Sequence, residues 1–193
     1  MIYSLVRTPN NRANYLTMTI IIETIAVAFA LLAALSIVWS TVRTGIPPMM
    51  SNASARSAML KQINCSDGDI IDLGSGWGTL LMAAAKQHPQ RQIIGYEVSW
   101  LPWLYARLRL AKYPNVRVYR QDFRHASLAS ASILLCYLMP KGMQTLAGLL
   151  AQYPDQQITI ISNNFSLPAL SATKTLQLND LYKSPIYVYQ WPS

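Results

Sequence analysis

The turn DLGSGWG, residues 72–78, combines one carboxylate with three glycines directly after an apolar pair, Ile70-Ile71. Glycines at alternate positions let the backbone turn tightly and approach a bound molecule that a Cβ atom would exclude. Asp72 places a negative charge in the same turn. The pattern predicts a ligand site between a strand and a helix, with contacts from Asp72, Gly74, Gly76 and Gly78.

The position of the acid distinguishes this turn from a dinucleotide-binding loop. A dinucleotide fingerprint spaces its glycines as GxGxxG and holds a pyrophosphate at the following helix N-terminus. Here the glycines are spaced GxGxG behind Asp72, which would repel a pyrophosphate. A cationic or amino-bearing ligand suits the turn better. S-adenosylmethionine, with its sulfonium and its α-amino group, meets that description.

Two further acids complete a family pattern. Together with IIDLGSGWG, they make the sequence resemble the class I, seven-β-strand S-adenosylmethionine-dependent methyltransferases. Glu97 closes an apolar run, residues 93–96, where the family's acid holds the ribose hydroxyls. Asp122, in RQDF, lies where the family often places a side chain against the adenine amino group. The resemblance implies a cofactor site formed by Asp72, Gly74, Gly76, Gly78, Glu97 and Asp122.

Two of these residues have simpler interpretations when the resemblance is set aside. Glu97 is also compatible with a solvated strand end. Asp122 is also compatible with the N-cap of a short helix near His125. Both interpretations stay open at the level of sequence.

Short apolar runs alternate with helical segments and would position these residues. The first strand ends at Asp72, and further strands are predicted at 92–97, 116–120, 132–138 and 157–162. Helices are predicted at 54–62, 79–87, 101–112 and 140–152. Two final runs, 175–178 and 186–191, leave no room for a helix between them and predict an antiparallel hairpin. The pattern therefore predicts an α/β fold with a mostly parallel sheet. The resemblance implies that this is the Rossmann-like class I methyltransferase fold with seven strands.

An apolar segment, residues 17–39, precedes this domain. The chain is 52% hydrophobic and 12% charged, whereas about 25% charged residues are usual. As a helix the segment would be about 35 Å long, enough to cross a bilayer core. Tyr15 and Trp39 lie at its ends, where aromatic rings favour headgroups. A signal peptide is the main alternative, but the run is longer than an h-region of about 7–15 residues and Arg43 follows it.

These segments predict a domain organisation and a location. We expect a tail at 1–16, one transmembrane helix at 17–39, a connector at 40–53 and the methyltransferase domain at 54–193. Because S-adenosylmethionine is kept in the cytosol or a matrix-like compartment, we expect the catalytic domain on the cytosolic face. A bacterial cytoplasmic membrane is favoured, with the mitochondrial inner membrane as the alternative. Ala26, Ala30 and Ala34 recur every four residues and suggest a homodimer through this helix.

Charge and cysteine content restrict the other partners. The net charge is +8, and six basic residues gather in one stretch: Arg107, Arg109, Lys112, Arg117, Arg120 and Arg124. For a domain held at a membrane, anionic headgroups are a nearer partner than nucleic acid, although a merely solvated face is also compatible.

The turn after strand four reads CYLMP and lacks the NPPY-like motif of base-modifying enzymes. Cys65 and Cys136 follow no metal or redox spacing, so no metal site is predicted.

The order of features along the chain gives a more particular resemblance. One membrane helix, a proline-containing connector, DLGSGWG, GYEVSWLPWLYARLRL, YLMP and SNNFSLP resemble the small membrane-anchored lysine methyltransferases of the adenine nucleotide translocase and ATP synthase c-subunit type. Trp77 departs from that pattern, since many such enzymes have a small acidic residue there. Residues 162–165, SNNF, also depart from the pattern, since these enzymes have a more basic sequence at this place.

The resemblance implies methylation of a lysine in a membrane protein. A lysine ε-amine must arrive deprotonated, which an apolar aromatic channel favours. Tyr137 and Phe165 are the predicted catalytic residues that shape this channel, although both are also compatible with ordinary packing. Two other functions stay open: methylation of a lipid headgroup or small amine, and a non-catalytic membrane scaffold that binds the cofactor.

Overall fold

The computed structural model describes residues 11–44, 52–63, 67–180 and 183–192. It contains one long N-terminal helix and an α/β domain. The helices are α1 (Asn11–Thr44), α2 (Ala53–Leu60), α3 (Thr79–Gln87), α4 (Trp100–Leu110) and α5 (Pro140–Leu150). The strands are β1 (Asp69–Asp72), β2 (Ile93–Tyr96), β3 (Val116–Tyr119), β4 (Ala131–Cys136), β5 (Ile158–Asn163), β6 (Lys174–Gln177) and β7 (Pro185–Trp191).

The seven strands form one sheet in the order β3-β2-β1-β4-β5-β7-β6. The first five strands run parallel, and β7 pairs antiparallel with both β5 and β6. The α/β fold class and the terminal antiparallel hairpin predicted from the sequence are confirmed. Because β1 to β5 are parallel, their carboxyl ends meet at one edge of the sheet, where α/β proteins bind ligands.

Helices cover both faces of the sheet. On one face, Met143 and Leu146 of α5 pack with Ile71 and Leu134. On the other face, side chains of α2, α3 and α4 pack with Ile70 of β1. Ile70 and Ile71 are both fully buried although they point to opposite faces. Such two-sided burial explains why the central strands read as continuous apolar runs rather than alternating ones.

Local sequence signals account for the helix starts. Asn52 caps α2, since its side-chain oxygen accepts a hydrogen bond from the Ala55 N–H at 2.6 Å. Pro140 occupies the first turn of α5, where its missing N–H costs nothing. Gly78 precedes α3 with a φ of 73°. The start of α3 is therefore fixed by a residue of the glycine turn itself.

Helix α1 extends beyond the predicted span of 17–39 at both ends. Within it, Asn14–Ser36 is long and apolar enough to cross a membrane, and it is the one such helix among the described residues. This window is not buried against the rest of the protein. Helix α1 does contact α4. Half of the predicted connector, residues 45–51, and Cys65 lie outside the described residues.

Candidate functional site

Asp72 is the last residue of β1, and its side chain is only 4% exposed. Its Oδ1 accepts a hydrogen bond from the Gly74 N–H at 3.3 Å. The pKa of Asp72 is raised from 3.8 to about 7, because burial, the largest cause, and the charge of Glu97 together outweigh the lowering effect of the Gly74 N–H. Asp72 thus carries a carboxylate whose ionisation a cationic ligand would favour.

Glu97 follows β2 and connects the glycine turn to the end of that strand through a hydrogen bond. Its Oε2 accepts from the Gly76 N–H at 2.8 Å, and its Oε1 accepts from the Ser99 N–H at 2.7 Å. The Ser75 N–H donates to the Tyr96 carbonyl at 2.9 Å. With 8% exposure, Glu97 is not a solvated strand end. It holds the turn after β1 and the start of α4 at a fixed separation.

The three glycines of the turn serve different purposes. Gly76 has a φ of 50°, and a Cβ built there would meet nothing within 4 Å. Gly78 has a φ of 73°, and its Cβ would lie 2.9 Å from both Ala106 Cβ and Leu110 Cδ1. Gly74 has no positive φ, and its Cβ would make an ordinary contact with Leu138 at 3.5 Å. Gly76 therefore offers open space, while Gly78 permits close packing between α3 and α4.

Sequence reasoning missed Gly95, a glycine inside β2. A Cβ on Gly95 would collide with Leu81 of α3 and would lie 2.9 Å from Ser75 Cβ. The signal was present, because a glycine that interrupts the apolar run of a strand marks a close approach. The Ser75 hydroxyl oxygen is buried beside this position and has no hydrogen-bond partner among the described residues.

Asp122 follows β3 and caps the short 3-10 helix at Phe123–His125. Its carboxylate accepts from the Arg124 N–H at 3.0 Å and from Arg124 Nε at 2.9 Å. Partial burial raises the pKa of Asp122, but Arg124 outweighs it and holds the pKa below its usual value. The capping role left open by the sequence is therefore present. The adenine contact stays a prediction.

Tyr137 and Phe165, which follow β4 and β5, lie together. Their rings stack with centroids 6.3 Å apart, and Asn164 Nδ2 donates to the Tyr137 hydroxyl at 3.4 Å. Asn164 has a φ of 67°, a conformation that asparagine tolerates better than most residues. The Ser162 hydroxyl donates to the Phe165 carbonyl at 2.6 Å and closes this turn. The pair forms a half-buried aromatic wall at the carboxyl edge of the sheet, and its catalytic role stays a prediction.

Cys136 ends β4 and is fully buried. Burial raises the pKa of its thiol, and the nearby charge of Asp72 raises it further. The thiol is therefore protonated at neutral pH. Among the described residues, no group of three or more histidine, cysteine or acidic side chains is placed to hold a metal ion.

The arrangement fits an adenosyl ligand that carries an amino group. Asp72 and Glu97 end adjacent strands and interact electrostatically. The turn between them leaves open space at Gly76. A carboxylate with a raised pKa gains a partner when a cation binds, whereas an anionic pyrophosphate would be repelled. The described geometry therefore matches the ligand class that the glycine spacing predicts.

Comparisons with solved structures agree with the fold. An RNA methyltransferase from Salinibacter ruber, crystallised with S-adenosyl-L-homocysteine, superposes with a TM-score of 0.66 and 22% identity. The match covers 75% of this chain and 95% of that one. The B. subtilis m1A22 tRNA methyltransferase TrmK superposes with a TM-score of 0.57 and 16% identity, covering 74% of this chain and 67% of that one. At these identities the likeness shows the fold alone.

Comparisons of sequence are more specific. The Homo sapiens lysine N-methyltransferase of the ATP synthase c-subunit is 27% identical over 57% of this chain and 48% of its own length. The adenine nucleotide translocase lysine N-methyltransferase of Mus musculus is 28% identical over 65% of this chain and 56% of its own length. This chain spans about half the length of these curated relatives.

A family model gives the assignment. The model of the ANTKMT methyltransferase domain matches residues 72–174, more than half of the chain. The match begins at Asp72 and includes the glycine turn, Glu97, and the aromatic pair after β4 and β5. The acids and glycines described above therefore lie within the matched region. This chain belongs to the ANTKMT methyltransferase domain family.

Proposed function

We propose that this protein is a membrane-anchored S-adenosylmethionine-dependent methyltransferase that modifies a lysine of a membrane protein. The observation that carries the proposal is the family match over residues 72–174, which coincides with the site built from Asp72, the glycine turn and Glu97. The names of the relatives, lysine N-methyltransferases of the ATP synthase c-subunit and of adenine nucleotide translocase, support a lysine of a membrane protein as the acceptor.

In this proposal the cofactor lies over the carboxyl ends of β1 and β2. Asp72 attracts the positive end of the cofactor, and Glu97 accepts hydrogen bonds from the ribose hydroxyls. Gly74, Gly76 and Gly78 allow the backbone to approach it. Asp122 would accept a hydrogen bond from the adenine amino group in addition to those from Arg124, which engages both of its carboxylate oxygens. Bound S-adenosylmethionine supplies a methyl group activated by its sulfonium.

The residues after β4 and β5 form the acceptor side. Tyr137 and Phe165 present apolar ring faces, which favour an uncharged lysine amine because desolvation lowers its pKa. The Tyr137 hydroxyl, held by Asn164 Nδ2, orients the amine lone pair along the line of attack. Transfer forms a nitrogen–carbon bond as the sulfur–carbon bond breaks. Alignment rather than a strong base then limits the rate.

Helix α1 anchors the enzyme in this proposal. Its apolar window, Asn14–Ser36, supports a single membrane span. The catalytic domain would face the cytosol, where S-adenosylmethionine is kept, at a bacterial cytoplasmic membrane or, as the alternative, at the mitochondrial inner membrane. Ala26, Ala30 and Ala34 lie on the exposed surface of α1, which supports pairing of two copies through this helix. The anchor keeps the site close to acceptors in the same bilayer.

The decisive experiment follows radiolabelled methyl groups. Purified full-length protein is incubated with labelled S-adenosylmethionine and membranes from cells that lack it. We expect label in a protein band that yields methyl-lysine after acid hydrolysis. Asp72→Ala should abolish the signal, while a variant at an exposed site, Asp155→Asn, should retain it. Absence of methyl-lysine would contradict the proposal.

The main alternative is methylation of a lipid headgroup or another small amine. The same membrane anchor would bring such acceptors to the site. Label in the lipid extract or the small-molecule fraction, with none in protein, would support this alternative. A non-catalytic scaffold would bind the cofactor in calorimetry and transfer no label to any fraction.

A further inference from the structure

Helix α4 carries an exposed face whose composition is unusual for a water-soluble surface. Leu108 is 70% exposed, and Trp100 and Tyr105 are each 47% exposed. At 3.6 residues per turn, these three side chains fall on one side of the helix, with Leu108 near the middle. The buried residues Pro102, Ala106 and Leu110 occupy the opposite side. The exposed apolar face is therefore not part of the core of the domain.

Basic side chains border this face. Arg107 and Arg109 lie on its two sides, and Lys112 follows the end of the helix. The guanidinium of Arg107 lies 5.3 Å from the Trp103 ring centroid, and that of Arg109 lies 5.8 Å from the Tyr105 ring centroid. An apolar stripe with aromatic rings between basic residues is the pattern of helices that lie in the headgroup region of a membrane.

The position of α4 relative to α1 points to the same surface. The two helices are in contact. Among the α1 side chains that the structure describes, Ala33 and Ser36 are partly covered, while the others are exposed. Both lie at the carboxyl end of the apolar window, Asn14–Ser36. Among its described side chains, the covered part of α1 thus lies where α1 would leave the apolar layer of a bilayer, and α4 is an element that contacts α1.

We propose that the exposed face of α4, formed by Trp100, Tyr105, Leu108, Arg107, Arg109 and Lys112, binds the surface of a membrane that contains anionic phospholipids. This inference rests on the membrane anchoring proposed for α1 and adds a second, independent point of attachment. The face includes no residue of the methyl-transfer site. Two attachments restrict rotation of the domain about α1 and hold it in one orientation.

The orientation matters because α4 is joined to the cofactor turn. Trp77 of that turn contacts Tyr105 edge-on, with centroids 5.5 Å apart. Gly78 packs directly on Ala106. A membrane surface against α4 therefore lies beside the glycine turn. The site would face acceptor residues that emerge just above the headgroups.

The test uses the full-length chain in lipid nanodiscs. A polarity-sensitive dye is attached to Leu108→Cys in a Cys65→Ser background, and a matched dye is attached to Gln144→Cys on the exposed side of α5. In discs with about one-third phosphatidylglycerol, we expect the dye at 108 to shift to the blue and to be quenched by headgroup spin labels. The dye at 144 should show neither effect.

Charge variants test the electrostatic part. The triple variant Arg107→Gln, Arg109→Gln, Lys112→Gln should lose the quenching at 108, since each basic residue near an anionic surface contributes about a fivefold preference. The matched triple variant Lys61→Gln, Lys86→Gln, Lys141→Gln should retain it. Discs of pure phosphatidylcholine should weaken the quenching of the dye at 108 in the protein that keeps all of its basic residues. Retained binding of S-adenosylhomocysteine shows that each variant is folded.

Three results would overturn the inference. One is a dye at 108 that stays as exposed to water as the dye at 144 in anionic discs. Another is quenching that the first triple variant leaves unchanged. The third is shielding that appears in detergent and grows with protein concentration, which would mean that a second copy covers the face. Failure of the chain to enter discs would instead contradict the anchor, and salt-sensitive binding to anionic vesicles would then still support α4.

Discussion

Replacement of Asp72 by asparagine should stabilise the cofactor-free domain, and the gain should grow with pH. The carboxyl has a pKa of about 7 in the folded chain, against 3.8 when it is solvated. A raised pKa means that folding disfavours the ionised form. The destabilisation is absent below the unfolded pKa, grows between the two values and is complete above pH 7.

The size of the effect follows from those two values. With about 1.4 kcal/mol for each tenfold change in a protonation equilibrium, ionised Asp72 costs the fold ~4 kcal/mol at pH 8. At pH 5 the folded carboxyl is protonated, and the cost is about 1.6 kcal/mol. The asparagine of the Asp72→Asn variant has no charge at either pH and keeps an acceptor for the Gly74 N–H. The advantage of the variant should therefore increase by about 3 kcal/mol from pH 5 to pH 8.

Urea unfolding of the full-length protein in detergent, followed by tryptophan fluorescence, measures this difference. Asp155→Asn, at an exposed position, serves as the control for the loss of one carboxylate, and its unfolding is compared with that of the unmodified protein at both pH values. An Asp72→Asn gain that is the same at pH 5 and pH 8 would refute the reasoning, because Asp72 would then ionise as freely in the folded chain as in the unfolded one.

Ligand binding gives a second measurement of the same group. S-adenosylhomocysteine keeps its amino group protonated between pH 6 and pH 8, so the change in affinity reports on the protein. If the ligand requires ionised Asp72, its affinity should rise about tenfold over this range, with release of a proton. Asp72→Asn should bind weakly and without this pH dependence. The carboxylate of Asp72 would then lower the stability of the ligand-free domain and raise its affinity for the ligand.

Four other substitutions separate binding, packing and turnover. Glu97→Gln should weaken S-adenosylhomocysteine binding by about tenfold in calorimetry, because a charge-assisted acceptor becomes neutral; unchanged affinity would remove Glu97 from the site. Gly76→Ala should cost about 1 kcal/mol of unfolding free energy from its positive φ, whereas Gly78→Ala should cost about 1–3 kcal/mol more through its clash with α4; equal urea midpoints would contradict the packing argument. Tyr137→Phe should keep its stack on Phe165 and bind the cofactor normally, yet lower turnover about tenfold, because the amine loses the hydroxyl that aligns it; full activity would leave Tyr137 a packing residue.

Much of the fold could be predicted because the central strands carry their own signals. Ile70, Ile71, Ile93 and Ile94 lie in short apolar runs, and an acidic residue, Asp72 or Glu97, ends each run. The length of these apolar runs and their spacing along the chain thus located the parallel strands. The boundaries of α1 were harder, since the helix continues through polar residues at both ends of its apolar window. Helix propensity alone does not indicate where such a helix stops.

Only part of the candidate site could be predicted from the sequence. Adjacent parallel strands brought Asp72 and Glu97 to one edge, as their spacing implied. The sequence did not distinguish the open Gly76 from the packed Gly78, because both have a positive φ and differ only in what lies across from them. Nor did it indicate that Arg124 would engage Asp122. Such contacts depend on side-chain geometry rather than on residue order.

The buried Cys136 thiol at the end of β4 bears on whether the methyl donor could methylate the protein itself. A sulfonium methyl group is an electrophile, and a thiolate is a strong nucleophile for it. Cys136 lies on the strand next to Asp72, where burial and the Asp72 charge keep its proton in place. In the proposed function, β4 borders the methyl donor and can therefore carry this sulfur without self-methylation. Burial is the larger cause of this protection, and the charge of Asp72, which the proposed function assigns to attracting the donor, adds to it.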